Sequence, residues 1–218
     1  MPKRRRNKRP LRGRRKRSRY ASYGFANPRA ELKVKYIDFG FTSLGDQTNG
    51  LYTSIPIIST GSGLSHRIGH RICAKSIDWK VTIKQDSTTN PLTKPNYVAV
   101  YLVWDKQVNN TAYAAAALKA ALLKSSANAM EGLNLAYRDR FRVLRHWEFT
   151  LHPQARPIVS RSKFLKLNNK EITYNGDTTS DESTISTNNL FVYALSLSSE
   201  AAGVLLFKTT ATFRYTDA

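Results

Sequence analysis

Ile77-Asp78-Trp79-Lys80-Val81-Thr82-Ile83-Lys84 alternates apolar and polar side chains without a break. Successive side chains on an extended chain point to opposite faces, so this stretch reads as a strand with one buried and one wet face. Tyr97–Trp104 (YVAVYLVW) is apolar throughout and reads as a strand buried on both sides. Working outward, Leu32, Val34 and Tyr36 alternate with Glu31, Lys33 and Lys35. The phase then slips to Ile37, Phe39 and Phe41, as a bulge beside Gly40 would produce. Segment 51–59 is a further strand, which Pro56 assigns to an edge or an irregular run. Toward the C-terminus, 140–152, 163–174, 189–198 and 204–215 carry the same signals.

The spacing predicts one helix, over 112–124 (TAYAAAALKAALL), where alanines dominate and Leu118 and Leu122 fall one turn apart. The stretch 175–188 is a polar loop with three of the fifteen acids and no base, expected on a face away from any polyanion. About eight strands without a βαβ rhythm argue for an all-β, antiparallel sandwich or barrel. An eight-stranded jelly roll is one such architecture.

Ahead of the strands lies a different composition. Twelve of the first nineteen residues are basic: Lys3, Arg4, Arg5, Arg6, Lys8, Arg9, Arg12, Arg14, Arg15, Lys16, Arg17 and Arg19. Such a block repels itself and has little to bury, so residues 1–30 are expected to be a disordered arm and hinge, and 31–218 one folded domain. Its counterion is a polyanion, because each cation that neutralises a phosphate releases condensed counterions. The clusters Arg4-Arg5-Arg6 and Arg14-Arg15-Lys16-Arg17 also read as a nuclear localisation signal, which implies a host nuclear import receptor as partner. Aromatics at Tyr20, Tyr23 and Phe25 suit either stacking on unpaired bases or anchoring the arm.

Of 35 basic residues, 23 remain after the arm against all 15 acids, a surplus of eight. Arg67, Arg71 and Lys75 recur every four residues, and Arg138, Arg140 and Arg142 would share one face of a strand with Phe141 and Val143 on the other. Both sets are candidate phosphate contacts, beside the plainer reading of a solvated face with ion pairs. Asp139, between Arg138 and Arg140, reads as an ion-pair partner for its neighbours.

Nothing in the motifs points to catalysis: no GxGxxG, P-loop, GxSxG or HExxH pattern occurs. His66, His70 and Cys73 have a spacing that a helix would turn into a metal site, but they stand in a glycine-containing loop that leads into a strand. No metal or cofactor is expected. A single cysteine rules out an intrachain disulfide, and no apolar stretch is long enough for a membrane helix. The charged N-terminus has no apolar run after it, so it does not read as a secretory signal.

Several short segments carry a resemblance. Gly69-His70-Arg71-Ile72-Cys73-Ala74-Lys75-Ser76-Ile77, Tyr101-Leu102-Val103-Trp104-Asp105, Arg138–Arg145, Lys166-Leu167-Asn168-Asn169 and the closing Phe213-Arg214-Tyr215 resemble, in order, coat proteins of geminiviruses and related circular single-stranded DNA viruses. The resemblance implies a jelly-roll subunit that self-assembles into an icosahedral shell of about sixty copies around single-stranded DNA. It also implies an inward-facing arm and passage through the host nucleus. The chain departs from the geminivirus pattern in its shorter length and in the alanine-rich segment. A coat protein of a small RNA virus, or a cellular nucleic-acid-binding protein such as a ribosomal protein, would show the same arm.

Overall fold

In a computed structural model of the chain, the residues described are 31–44, 50–85, 95–108, 113–124, 133–152, 157–176, 181–196 and 205–218. The arm and hinge, 1–30, lie outside them. The strands are β1 (Lys33–Ser43), β2 (Leu51–Ser54), β3 (Arg71–Gln85), β4 (Asn96–Asp105), β5 (Phe141–Leu151), β6 (Ile158–Tyr174), β7 (Ile185–Thr187), β8 (Asn189–Ser196) and β9 (Leu205–Asp217). They form two antiparallel sheets, ordered β1-β9-β3-β6-β7 and β2-β8-β4-β5. With the three-residue β7 set aside, eight strands divide four and four, and the first pairs with the last. That is the jelly-roll order.

The alternation seen in the sequence is what lets the sheets face each other. Ile77, Trp79, Val81 and Ile83 of β3 are fully buried, while Asp78 and Lys80 point outward. Trp79 stacks on Trp147 of β5 with ring centroids 4.3 Å apart, which joins the two sheets at their centre. The Trp79 indole N–H donates to Thr209 Oγ1 at 2.9 Å, so the ring is buried without an orphaned donor. In β1 the register against β9 shifts between Phe39 and Thr42, where the slip in hydrophobic phase brackets Gly40. β2 ends at Ser54, two residues before Pro56, and is an edge strand.

β4 is buried on both faces, as its apolar run demands. Val98, Val100, Leu102 and Trp104 enter the core between the sheets, whereas Ala99, Tyr101 and Val103 face a second apolar cluster outside. β8 is divided in the same way, with Phe191, Tyr193 and Leu195 turned outward. The helix α1 (Ala115–Leu122) supplies part of that outer cluster through Leu118 and Leu122. Its role is therefore to cover the outer face of its own sheet.

The expected loop at 175–188 holds more structure than its polarity suggests. Glu182–Thr184 is a 3-10 turn, and Ile185–Thr187 is β7, whose Thr187 pairs with Thr173 of β6. Thr173 in turn pairs with Arg71, so this segment lies at the same end of the sandwich as Arg71.

Glu182 is buried there, accepting from Asn189 Nδ2 at 3.3 Å, in a network that continues from Asn189 to Tyr52 and Ser54. Burial pushes its carboxyl up to about 7, against the opposing effect of the Asn189 hydrogen bond. The folded form therefore holds a proton that the unfolded chain, with an ordinary value of 4.5, releases earlier. Stability from this group is complete below about 4.5 and is lost as pH rises toward 7. Glu182→Gln should flatten the pH dependence of urea unfolding across that interval and stabilise the protein above it. An unchanged pH profile would show that Glu182 is not the titrating group.

Candidate nucleic-acid interface

The basic residues singled out in the sequence fall into three groups. Those of the arm, Lys3 through Arg19, lie outside the described residues, as do Tyr20, Tyr23 and Phe25. Their point of attachment does not: β1 begins at Lys33, which pairs with Tyr215, and Tyr215 pairs with Ala74. Ala74 pairs on its other side with Lys170 of β6. Lys33, Tyr215, Ala74 and Lys170 thus form one row across the sheet. Arg71 and Lys75, on β3, flank the same row.

The second group consists of cations already used by the fold. Arg67 is fully buried. Its guanidinium donates to the carbonyls of Ile58 (3.1 Å), Gly176 (2.6 Å) and Gly69, and lies 4.3 Å over the Tyr174 ring. The Tyr174 hydroxyl donates onward to Pro56 O at 2.9 Å. Arg67 is therefore a structural pin that gathers the 56–69 loop and the end of β6, which corrects its assignment as a phosphate contact.

Arg140 is likewise redirected. It precedes β5, in a turn, and donates to both carboxylate oxygens of Asp105 at 3.2 and 3.3 Å. Asp105 is wholly buried and also accepts from the Tyr113 hydroxyl, which itself accepts from Arg140. Burial works against the guanidinium's charge, but the hydrogen bonds and charge of Asp105 outweigh it, and its pKa is raised. Arg140 is a lock, and the expected single row of Arg138, Arg140 and Arg142 does not form. Arg138 caps the 3-10 turn Leu135–Tyr137, and only Arg142 sits on the strand. Asp139 offers its backbone carbonyl to Lys106 Nζ at 2.8 Å.

The third group remains available. Arg71 is exposed and has one loose partner, Glu171, at 3.6 Å. Lys75 is half-buried at a bulge of β3, where the register against both neighbours shifts between Ala74 and Ser76. Arg142 is exposed and stands opposite Trp104 of β4. Two cations that the sequence did not single out, Lys106 and Lys170, lie beside it. Lys170 Nζ is 4.6 Å over the Trp104 ring. The only sequence signal for Lys170 was its place after Asn168-Asn169.

His66 occupies the turn after Gly61–Gly63, and Cys73 is half-buried on β3. Among the described residues, no group of three or more His, Cys, Asp or Glu side chains is placed to hold a metal ion.

A jelly roll that follows a strongly basic segment suits a shell subunit, and viral capsid domains use this architecture. Residues 1–216 match the geminivirus coat protein/nuclear export factor BR1 family, and the chain belongs to that family. It is accordingly a capsid protein of the single-stranded DNA virus kind, with a structural role in the virion. No curated protein sequence matches it. Among solved structures it is similar to that of Desmodium yellow mottle tymovirus, with 14% identity over 86% of this chain and 88% of the other and a TM-score of 0.40. The 60-mer BFDV capsid protein shares 9% identity over 86% of this chain and 94% of the other, with a TM-score of 0.37. For the sacbrood virus of honeybee the figures are 11%, 86%, 76% and 0.33.

Removing Arg140 should strand a buried carboxylate. Arg140→Ala is expected to cost roughly 3–5 kcal/mol of folding stability, whereas Arg71→Ala, at an exposed pair, should cost under about 1 kcal/mol. Urea unfolding of the two variants checks the order. Equal effects would contradict the division between structural and available cations.

Proposed function

We propose that this coat protein self-assembles into a closed icosahedral shell and packages circular single-stranded DNA through its basic arm. In this reading residues 1–30 form arm and hinge, and 31–218 the shell domain. The arm contacts phosphates through Lys3, Arg4, Arg5, Arg6, Lys8, Arg9, Arg12, Arg14, Arg15, Lys16, Arg17 and Arg19, and Arg71, Lys75, Arg138 and Arg142 extend that surface onto the shell. The clusters Arg4–Arg6 and Arg14–Arg17 also engage a host import receptor, which brings the protein to the nucleus.

The observation that supports this best is the cross-strand row from Lys33 to Lys170, which roots the arm at the end that carries Arg71, Lys75 and Lys170. Neighbouring strands lie about 4.8 Å apart, so arm root and Lys170 are separated by roughly 14 Å. A polyanion held by the arm is thereby held against the shell domain. In the simplest icosahedral shell, about sixty subunits would bring about 720 arm charges to the genome, twelve from each chain. That suits a genome on the order of one to a few thousand nucleotides.

Replacing all twelve arm cations by Gln in the full chain should leave shells that form but carry no nucleic acid. Electron microscopy and the ultraviolet absorbance of the same fraction read both properties, and DNase against RNase identifies the cargo of the unaltered protein. Full shells from the neutralised chain would refute packaging through the arm. Replacing only Arg4–Arg6 and Arg14–Arg17 by Ala should hold a fluorescent fusion in the cytoplasm; nuclear accumulation would remove the import role.

A further inference from the structure

We infer that Lys106, Arg142 and Lys170 form a binding site for the backbone phosphates of single-stranded DNA on the shell domain itself, separate from the arm. The inference rests on the packaging reading above and adds residues to it.

Three elements converge on Trp104. Arg142 is its cross-strand partner on β5. Lys106 follows two residues later, where its backbone N–H bonds to Arg140 O at 3.0 Å and its Nζ to Asp139 O at 2.8 Å. Lys170 reaches across from the opposite sheet and covers the Trp104 ring at 4.6 Å. The ring is fixed from its far edge, since Trp104 Nε1 donates to Asn188 Oδ1 at 3.1 Å. A buried, hydrogen-bonded indole is thus the floor on which the Lys170 ammonium rests, and cation–π attraction holds it there.

The backbone is bent to make this possible. Asn168 and Asn169 both adopt the left-handed conformation, with φ of 54° and 56°. They lie between Lys166, which pairs with Ser76, and Lys170, which pairs with Ala74. Two consecutive non-glycine residues at positive φ inside a strand carry a conformational cost, and such costs gather at functional positions. The kink inserts residues between Lys166 and Lys170 and sets the side chain of Lys170 toward the space between the sheets.

A countercharge is what this site lacks. Among the described residues, no carboxylate forms an ion pair with Lys106, Arg142 or Lys170, in contrast to Lys33, Arg71, Arg140 and Lys208. Burial and the neighbouring charges of Arg142 and Lys106 lower the pKa of Lys170. Three cations held together against their own repulsion are stabilised by a bound polyanion, and a sugar–phosphate strand offers regularly spaced charges. The site also lies at the end where the arm enters, through the row that joins Lys33 to Lys170.

The test uses the full chain with its twelve arm cations replaced by Gln, so that the shell domain is read alone. Binding of a short fluorescent oligothymidylate is followed by anisotropy over a series of sodium chloride concentrations. The three phosphate contacts of this cluster contribute about −2 to the slope of log affinity against log salt, since each contact on a single strand contributes about −0.7. Adding K106Q, R142Q and K170M should make that slope shallower by about 2 and weaken binding, leaving only what Arg71, Lys75 and Arg138 contribute, with Met keeping an apolar stem over Trp104. Restoring charge with K170R in place of K170M should recover part of both, which a folding defect would not. An unchanged slope in the triple variant, or no residual binding before it, overturns the site and leaves the arm's role standing. Unchanged oligonucleotide binding with loss of shell assembly would also overturn it, because the cluster would then meet an acidic surface of a neighbouring copy. Failure of the packaging reading shows itself separately, as full shells from the arm-neutralised chain that carries an intact cluster.

Discussion

Asp105 is a carboxylate with no exposure to solvent, and such a group is tolerable only when its charge is met where it sits. Arg140 meets it with two hydrogen bonds, and Tyr113 adds a third. The three residues come from the end of β4, the turn before β5 and the chain just ahead of α1. Satisfying Asp105 therefore fixes how the excursion between β4 and β5 leaves the sheet and how it returns. Tyr113 also packs edge-on against Phe141 and contacts Phe191, which carries the lock into the outer apolar cluster. Without that cover, Tyr101, Val103, Phe191 and Tyr193 would expose a large apolar patch, which soluble surfaces rarely sustain.

Two departures from regular strand geometry place the chemistry. The bulge in β3 at Lys75 and the left-handed pair Asn168-Asn169 in β6 face one another across a single strand pairing. One irregular register thus shifts both strands at the end of the sandwich where the arm enters. On an ideal sheet, side chains two apart share a face along the whole strand. The paired irregularities change that phase locally, so a strand that is apolar inside at Leu165 and Leu167 can still aim Lys170 at the ring of Trp104.

Much of the fold was legible because burial writes a period into the sequence. The alternation at 77–84, the phase slip beside Gly40 and the two-faced run at 97–104 each correspond to a strand of the expected kind. The helix was legible as well, with cores of Leu118 and Leu122 on the face that packs. β7 escaped because three residues, Ile185-Ser186-Thr187, are too few to show any period, and their polar context resembles a turn. The basic residues were harder to sort. Sequence spacing cannot show that Arg67 turns inward onto three carbonyls, since those come from Ile58, Gly69 and Gly176. Nor does it show that Arg140 belongs to Asp105, thirty-five positions away, and not to the adjacent Asp139.

What separates a cation that builds the fold from one left without a carboxylate partner is thus the supply of local acceptors. Arg67 and Arg140 have theirs arranged by the chain, and placing a phosphate there would require breaking bonds that hold a loop or a buried carboxylate. Lys33 is in the same class, held at 2.7 Å by Asp217 and at 3.0 Å by the carbonyl of His66. Lys106 is bonded to a backbone carbonyl and Lys170 rests on an indole, where the charges of Arg142 and Lys106 act on it. In the proposed site, added phosphates would complete the electrostatics instead of competing with them. If the proposed packaging holds, the chain carries two populations of basic residues, one satisfied in advance by the fold and one left to be satisfied by the cargo.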